Sequence, residues 1–174
     1  MLTAAAGHTV SATLAAVSAQ DVALQTSIMV PQVASGGGTY VNLSTRRVGT
    51  SEYRLKLWFR PTGEVQVIIV RVVDNVETAL AGTTLPGTYT AGSSLTVRFD
   101  TGGNGTTTLR AKVWATGTAE PTAWTLTRTD ATAALQQPGA VGVIEYVSGS
   151  ATAPFTVRLD DLWLGAAGSA PTAG

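Results

Sequence analysis

The sequence predicts an all-β domain built as two antiparallel sheets packed face to face. Three observations lead there. Residues 52–60, EYRLKLWFR, alternate strictly, with Tyr53, Leu55, Leu57 and Phe59 on one side and Arg54, Lys56, Trp58 and Arg60 on the other, which is the period of a strand with one buried face. About ten or eleven such segments follow one another, separated by turn-forming breaks rich in Gly, Pro and Asn. Helical period is almost absent, so many adjacent strands must bury their apolar faces by stacking two sheets. An immunoglobulin-like sandwich would use fewer strands and a shorter chain; a jelly-roll arrangement is expected.

Taken in order, His8 to Ala16 alternates through Val10, Ala12 and Leu14, and Gln20 to Val30 continues through Val22, Leu24 and Ile28. A helix over residues 11–24 is the competing reading, because alanines there also suit a helix. Pro31 and the glycines at 36–38 end the segment. Thr39 to Arg47 is the next strand, then Glu52 to Arg60, joined by Pro61-Thr62-Gly63 to Glu64 to Val73 as a hairpin, since Pro and Gly preset a tight turn. VQVIIVRVV is apolar on both faces except at Gln66 and Arg71, as expected of a strand covered on both sides or of a subunit contact. Val76 to Leu80, Leu95 to Asp100, Thr106 to Ala115, Ala123 to Thr129, Val141 to Val147 and Pro154 to Leu164 complete the strands. Asp130 is expected to cap one helical turn through ATAAL. The domain should run from residue 1 to 165, with 166–174, AAGSAPTAG, as a flexible tail.

Composition narrows function. Eleven Lys plus Arg balance eleven Asp plus Glu, so no long-range field favours DNA, RNA or an anionic membrane, and neither nucleic acid nor membrane is an expected partner. The longest apolar run is far short of a bilayer span. There is no cysteine and one histidine, His8, which leaves no thiol chemistry, no zinc set and no Ser-His-acid triad. A glycanase needs two carboxyls roughly 5 to 9 Å apart, yet the one adjacent acidic pair, Asp160 and Asp161, points to opposite faces of a strand and Glu52, Glu64 and Glu145 lie on different strands. A non-enzymatic protein is expected. Asn42-Leu-Ser and Asn104-Gly-Thr match the glycosylation acceptor pattern, a weak signal.

The polar faces are the candidate site. Arg54, Lys56 and Trp58 on one strand and Arg110, Lys112 and Trp114 on another, with Trp124 and Arg128, would form one aromatic and cationic surface if those strands share a sheet. Indole faces stack on sugar rings and guanidinium groups supply directional donors. The same residues also suit a protein interface, or cations lying over indoles at a plain surface.

Four stretches carry a resemblance: LRAKVWATGTAEPTAW (109–124), DATAAL (130–135), GAVGVIEYVSGS (139–150) and FTVRLDDLWL (155–164). The sequence resembles the concanavalin A-like, laminin-G-like jelly-roll domains of actinobacterial secreted proteins and of tail or other virion proteins of their phages. The likeness covers roughly residues 8–165, with Val113, Trp114, Glu120, Pro121 and Trp124 as its most specific portion. It implies a structural or adhesion protein of a virion (tail, fibre or capsid decoration), virion or extracellular in location, partnered by other assembly proteins and by copies of itself. The alternative is a module binding a cell-wall or capsular polysaccharide. Relatives usually begin with an earlier strand, so either the chain is a piece of a longer polypeptide or a neighbouring subunit supplies that strand. Many relatives hold calcium between first and last strands; here Asp21 with Asp160 or Asp161 could do so, or one Asp pairs with Arg158 or Arg98 while the other caps backbone amides. No other cofactor is expected.

Overall fold

Alternating side chains sort the chain into two six-stranded antiparallel sheets, as expected for the jelly-roll sandwich. The computed structural model describes residues 1–171; the last three residues of the expected tail lie outside them. The strands are β1 (Leu2–Ala4), β2 (Thr9–Ala19), β3 (Val22–Met29), β4 (Thr39–Val48), β5 (Ser51–Phe59), β6 (Val65–Val73), β7 (Val76–Thr84), β8 (Ser94–Gly102), β9 (Thr107–Ala115), β10 (Leu126–Asp130), β11 (Gly139–Val147) and β12 (Phe155–Gly165). The back sheet runs β1-β12-β3-β8-β9-β10 and the front sheet β2-β11-β4-β5-β6-β7. Among the described residues no helix is long and apolar enough to cross a membrane.

The expected strands form over this stretch and the competing helix of residues 11–24 does not: Ala12 and Leu14 stand opposite Val143 and Val141, and Leu24 opposite Phe99, because a period-2 partner across the ladder outweighs the helix propensity of a few alanines. Two local expectations are corrected. β1, too short to show a period, precedes the expected first strand and pairs Leu2–Ala4 with Val157–Phe155. Asp130 ends β10 and is not a helix cap; Thr132 precedes the single 3₁₀ turn, Ala133–Leu135. The Asp130 carboxylate accepts from the Thr132 amide at 3.1 Å and from the Tyr53 hydroxyl at 2.8 Å. Burial pushes its pKa up, but those bonds and the charge of Arg71 hold it below the usual carboxylate value.

Inward residues of the two sheets, among them Leu24, Phe99 and Leu109 against Leu43, Leu57 and Ile69, are fully buried in one core. VQVIIVRVV falls on β6, inside the front sheet, where Val70 and Val72 are buried even on the outer side. Their cross-strand neighbours there are Arg54 and Glu52, whose long side chains cover them.

Several charged groups are buried, and two of them, Arg46 and Glu145, are fully so. Arg46, at the β4 irregularity with φ 48°, turns into one end of the sandwich. Its guanidinium donates to the carbonyls of Gln20 (2.7 Å), Leu135 (2.9 Å) and Gly103 (2.6 Å) and to Thr107 Oγ1 (2.6 Å). It thereby ties front sheet, back sheet and 3₁₀ turn together. Glu145 points inward from β11, opposite Val10 and Val41, fully buried and with neither carboxyl oxygen bonded.

Candidate functional site

β5 lies in the front sheet and β9 in the back sheet, so the expected single surface is two surfaces on opposite sides of the molecule. Side chains alternate identically on both strands, and the crossovers between sheets, which period cannot read, separate them.

On the back sheet the cations serve the protein itself. Trp124 is not on a strand; it lies in the loop before β10 and rests against Arg110 (4.7 Å), Lys112 (4.8 Å) and Arg98 (5.4 Å). Pro121 and the bonds of Thr125, whose amide donates to the Ala111 carbonyl at 2.8 Å and whose hydroxyl accepts from the Val113 amide at 3.1 Å, fold that loop over β9. Lys112 also meets Glu120 at 2.7 Å, and Arg98 holds Asp100 at 2.8 Å and bonds the Ser169 carbonyl. Arg128, opposite Leu109, takes the other side of β10 and is exposed at that edge. Trp114 stands apart, beside Leu85, Pro86 and Leu95 at one end of the sandwich.

The expected calcium ligands do not converge. Asp21 precedes β3 and accepts from the Gly103 amide at 2.7 Å. Asp160 stands opposite Ser27, six positions further along β3, which is roughly 20 Å away along an extended strand. Asp161 accepts from Ser27 Oγ at 3.3 Å. Among the described residues no three His, Cys, Asp or Glu side chains cluster as metal ligands.

The front sheet is different. Register places Thr9, Tyr146, Tyr40, Trp58 and Gln66 in one transverse row on its outer face, and Ser11, Ile144, Asn42, Lys56 and Ile68 in the next. Tyr40 stacks on Trp58 (5.3 Å, 15°) and leans on Tyr146 (5.7 Å, 36°), while Arg60 lies over the Trp58 ring at 4.1 Å. The indole N–H donates to the Gly37 carbonyl at 2.9 Å. Trp58 is thus packed by both an aromatic ring and a guanidinium, the arrangement expected of cations lying over indoles, and Tyr146 is the most exposed aromatic of the row, at 37%.

Beside this row is a cavity of 430 Å³ lined by Thr9, Tyr40, Asn42, Arg54, Lys56, Glu77, Ile144 and Tyr146. Glu77 lies between the two cations, 2.7 Å from Arg54 and in ion-pair contact with Lys56, and Glu52 bonds Arg54 and Ser44. Two positive and two negative groups leave the pocket without net charge. Asn42, 3% exposed, donates to the Ile144 carbonyl at 3.3 Å while its Oδ1 has no partner. So buried an asparagine is no glycosylation acceptor. Burial, then the neighbouring Tyr146, push the Tyr40 phenol up, keeping it a protonated donor at neutral pH. Sequence reasoning found Arg54, Lys56 and Trp58 but missed Tyr40, Asn42 and Glu77. The available signal was the alternation of Tyr40, Asn42 and Ser44 with Val41 and Leu43, which marks an outward face of the neighbouring strand.

No family model and no curated protein matches the chain. Solved structures do. The carbohydrate-binding module CBM66 from Bacillus subtilis superposes with a TM-score of 0.58 at 12% identity, covering 84% of this chain and 76% of that one. The GH43 protein BlXynB from Bacillus licheniformis superposes at 0.55 and 9% identity over 85% of this chain but 28% of its own. CG-16, a homodimeric agglutinin from chicken liver, gives 0.50 at 8% identity over 91% and 100%. At these identities the shared feature is the fold.

Proposed function

We propose that the chain is a non-enzymatic carbohydrate-binding domain acting outside the cell, and that its ligand site is the front-sheet pocket between Tyr146, Asn42 and Glu77. The observation that carries this reading is the polar cavity itself, where Tyr40, Tyr146, Arg54, Lys56 and Glu77 converge on the outer face of the front sheet. The lining matches a polyhydroxylated ring: Glu77 accepts, Arg54, Lys56 and Tyr40 donate, and the partly exposed Tyr146 ring packs on C–H groups. Charge neutrality favours a neutral sugar, because a uronate would compete with Glu77 for Arg54 and Lys56. The carboxylates around the pocket are already engaged with cations, which leaves no acid and base pair across a scissile bond.

The lectin-like fold of the structural neighbours supports the reading by analogy alone. A place in a virion or surface assembly rests on the sequence resemblance and adds a setting for the same site. Titrating neutral polysaccharides while following tryptophan emission and calorimetric heat tests the proposal. Tyr146→Ala and Glu77→Ala should each weaken binding about tenfold or more, and Trp114→Ala on the back sheet should leave it unchanged. Binding that survives both front-sheet substitutions, or no response to any neutral glycan, overturns it.

A further inference from the structure

The four sheet edges are not equally protected. Edge strands expose unpaired amides and carbonyls, and proteins blunt them by shortness, charge, proline or bulges. β1 has three residues, and the β12 edge that it leaves uncovered carries Arg158, Asp160 and Asp161 with a bulge at Asp160–Trp163 and φ 51° at Asp161. β10 has five residues, two of them charged. β7 carries Glu77 and a register shift opposite Ile69/Val70. β2 is different. It is eleven residues long, TVSATLAAVSA, with no charge, proline or glycine, and most of it is exposed. Its ladder to β11 is regular from Thr9 to Leu14, and the bulge comes only beyond Leu14.

The space behind this edge is also open. A recess of 180 Å³ between the sheets is walled by Ala12, Leu14, Leu24, Val143, Leu159 and Leu162. Leu14 and Leu162 stand 39% and 52% exposed at its mouth.

We propose that two copies of the chain pair β2 to β2 in antiparallel fashion about a twofold axis, joining their front sheets into one twelve-stranded sheet and closing the recess. The choice of a second copy follows from charge. In a twofold contact every residue approaches its own kind, so a charge near the axis would meet itself; a strand without charge is self-complementary in any register. β7, β10 and the β12 edge all fail that condition.

The symmetry has a functional consequence. Antiparallel pairing of the same edge requires an axis perpendicular to the sheet, so both outer faces point the same way. β4 is the third strand from the junction, which puts the two β4 strands five spacings apart, about 24 Å. Two sugar pockets would then face one polysaccharide, and such bivalency raises apparent affinity by roughly 10²–10⁴. The dimer itself does not depend on the sugar reading.

Sedimentation velocity on the full chain between low and high micromolar concentration tests the interface. The expected result is a species of twice 17.8 kDa. Leu14→Lys should return it to the monomer mass, with circular dichroism confirming the fold. Ser11→Lys, on the exposed outer side of the strand, should do the same without touching the recess. Ala79→Lys on β7 should leave the dimer intact. A wild-type monomer throughout, or a dimer that survives Ser11→Lys and is lost in Ala79→Lys, overturns the proposal. Should the dimer form and no glycan bind, the interface stands and only the sugar site fails.

Discussion

Replacing Glu145 with glutamine should remove a pH dependence of stability that the wild-type protein carries. The carboxyl is 0% exposed, neither oxygen has a partner, and burial pushes its pKa from 4.5 to about 8. Below pH 4.5 it is protonated whether the chain is folded or not and exerts no pH-dependent effect. Between 4.5 and about 8 the unfolded chain loses the proton while the folded chain keeps it, so stability falls as pH rises, by ~1.4 kcal/mol per pH unit. Over that window the loss is about 5 kcal/mol, a large part of the stability of a small domain. Glutamine has nearly the same shape and cannot ionise, so Glu145→Gln should be flat in this respect and more stable than wild type by several kcal/mol near pH 8, with the two converging near pH 5. Urea unfolding followed by tryptophan emission across pH 5 to 8 measures it, and the readout is the difference between the two proteins, because Asp130, held below its usual pKa, contributes to both alike. Parallel pH profiles for wild type and variant would show that Glu145 finds a partner or water in solution, and the burial argument would fall.

Two further perturbations probe the frame around the site. Arg46→Met keeps the bulk and removes the donors that satisfy three carbonyls and Thr107 Oγ1; it should cost roughly 3–5 kcal/mol in urea unfolding, and an unchanged midpoint would mean that those carbonyls reach water. Gly38 has φ 90°, and a Cβ there would press on the Phe59 carbonyl and come 2.7 Å from Trp58 Nε1. Gly38→Ala should therefore destabilise by about 1–3 kcal/mol and shift the Trp58 emission; an unaltered spectrum would mean that the indole is not held through this turn.

Much of the fold was legible because a strand writes its buried face into every second residue. EYRLKLWFR placed Tyr53, Leu55, Leu57 and Phe59 in the core, where all four are buried, and LRAKVWA did the same for Leu109, Ala111 and Val113. β1 left no trace because three residues cannot display a period, and the helix reading of residues 11–24 arose because small side chains suit either state until a partner strand decides.

The site was legible only in half, for a related reason. Period 2 tells that Arg54, Lys56 and Trp58 share a face, and likewise Arg110, Lys112 and Trp114, but both sheets of a sandwich have an outward face and nothing local says which strand joins which. The pairing β4 to β5 to β6 brings Tyr40, Asn42 and Gln66 beside Trp58 and Lys56, residues up to 26 positions apart in the chain. The difference between the two faces then emerges from what covers them. On the back sheet a ten-residue loop carrying Trp124 and Glu120 consumes the cations; on the front sheet no loop does so, and the cations balance Glu77 at the wall of an open pocket. Equal alternation in sequence thus yields one face closed over by its own loop and one that keeps an open pocket beside its aromatic row. That difference in cover, rather than the density of aromatic or basic residues, separates the two faces, and it arises from tertiary pairing that no single strand displays.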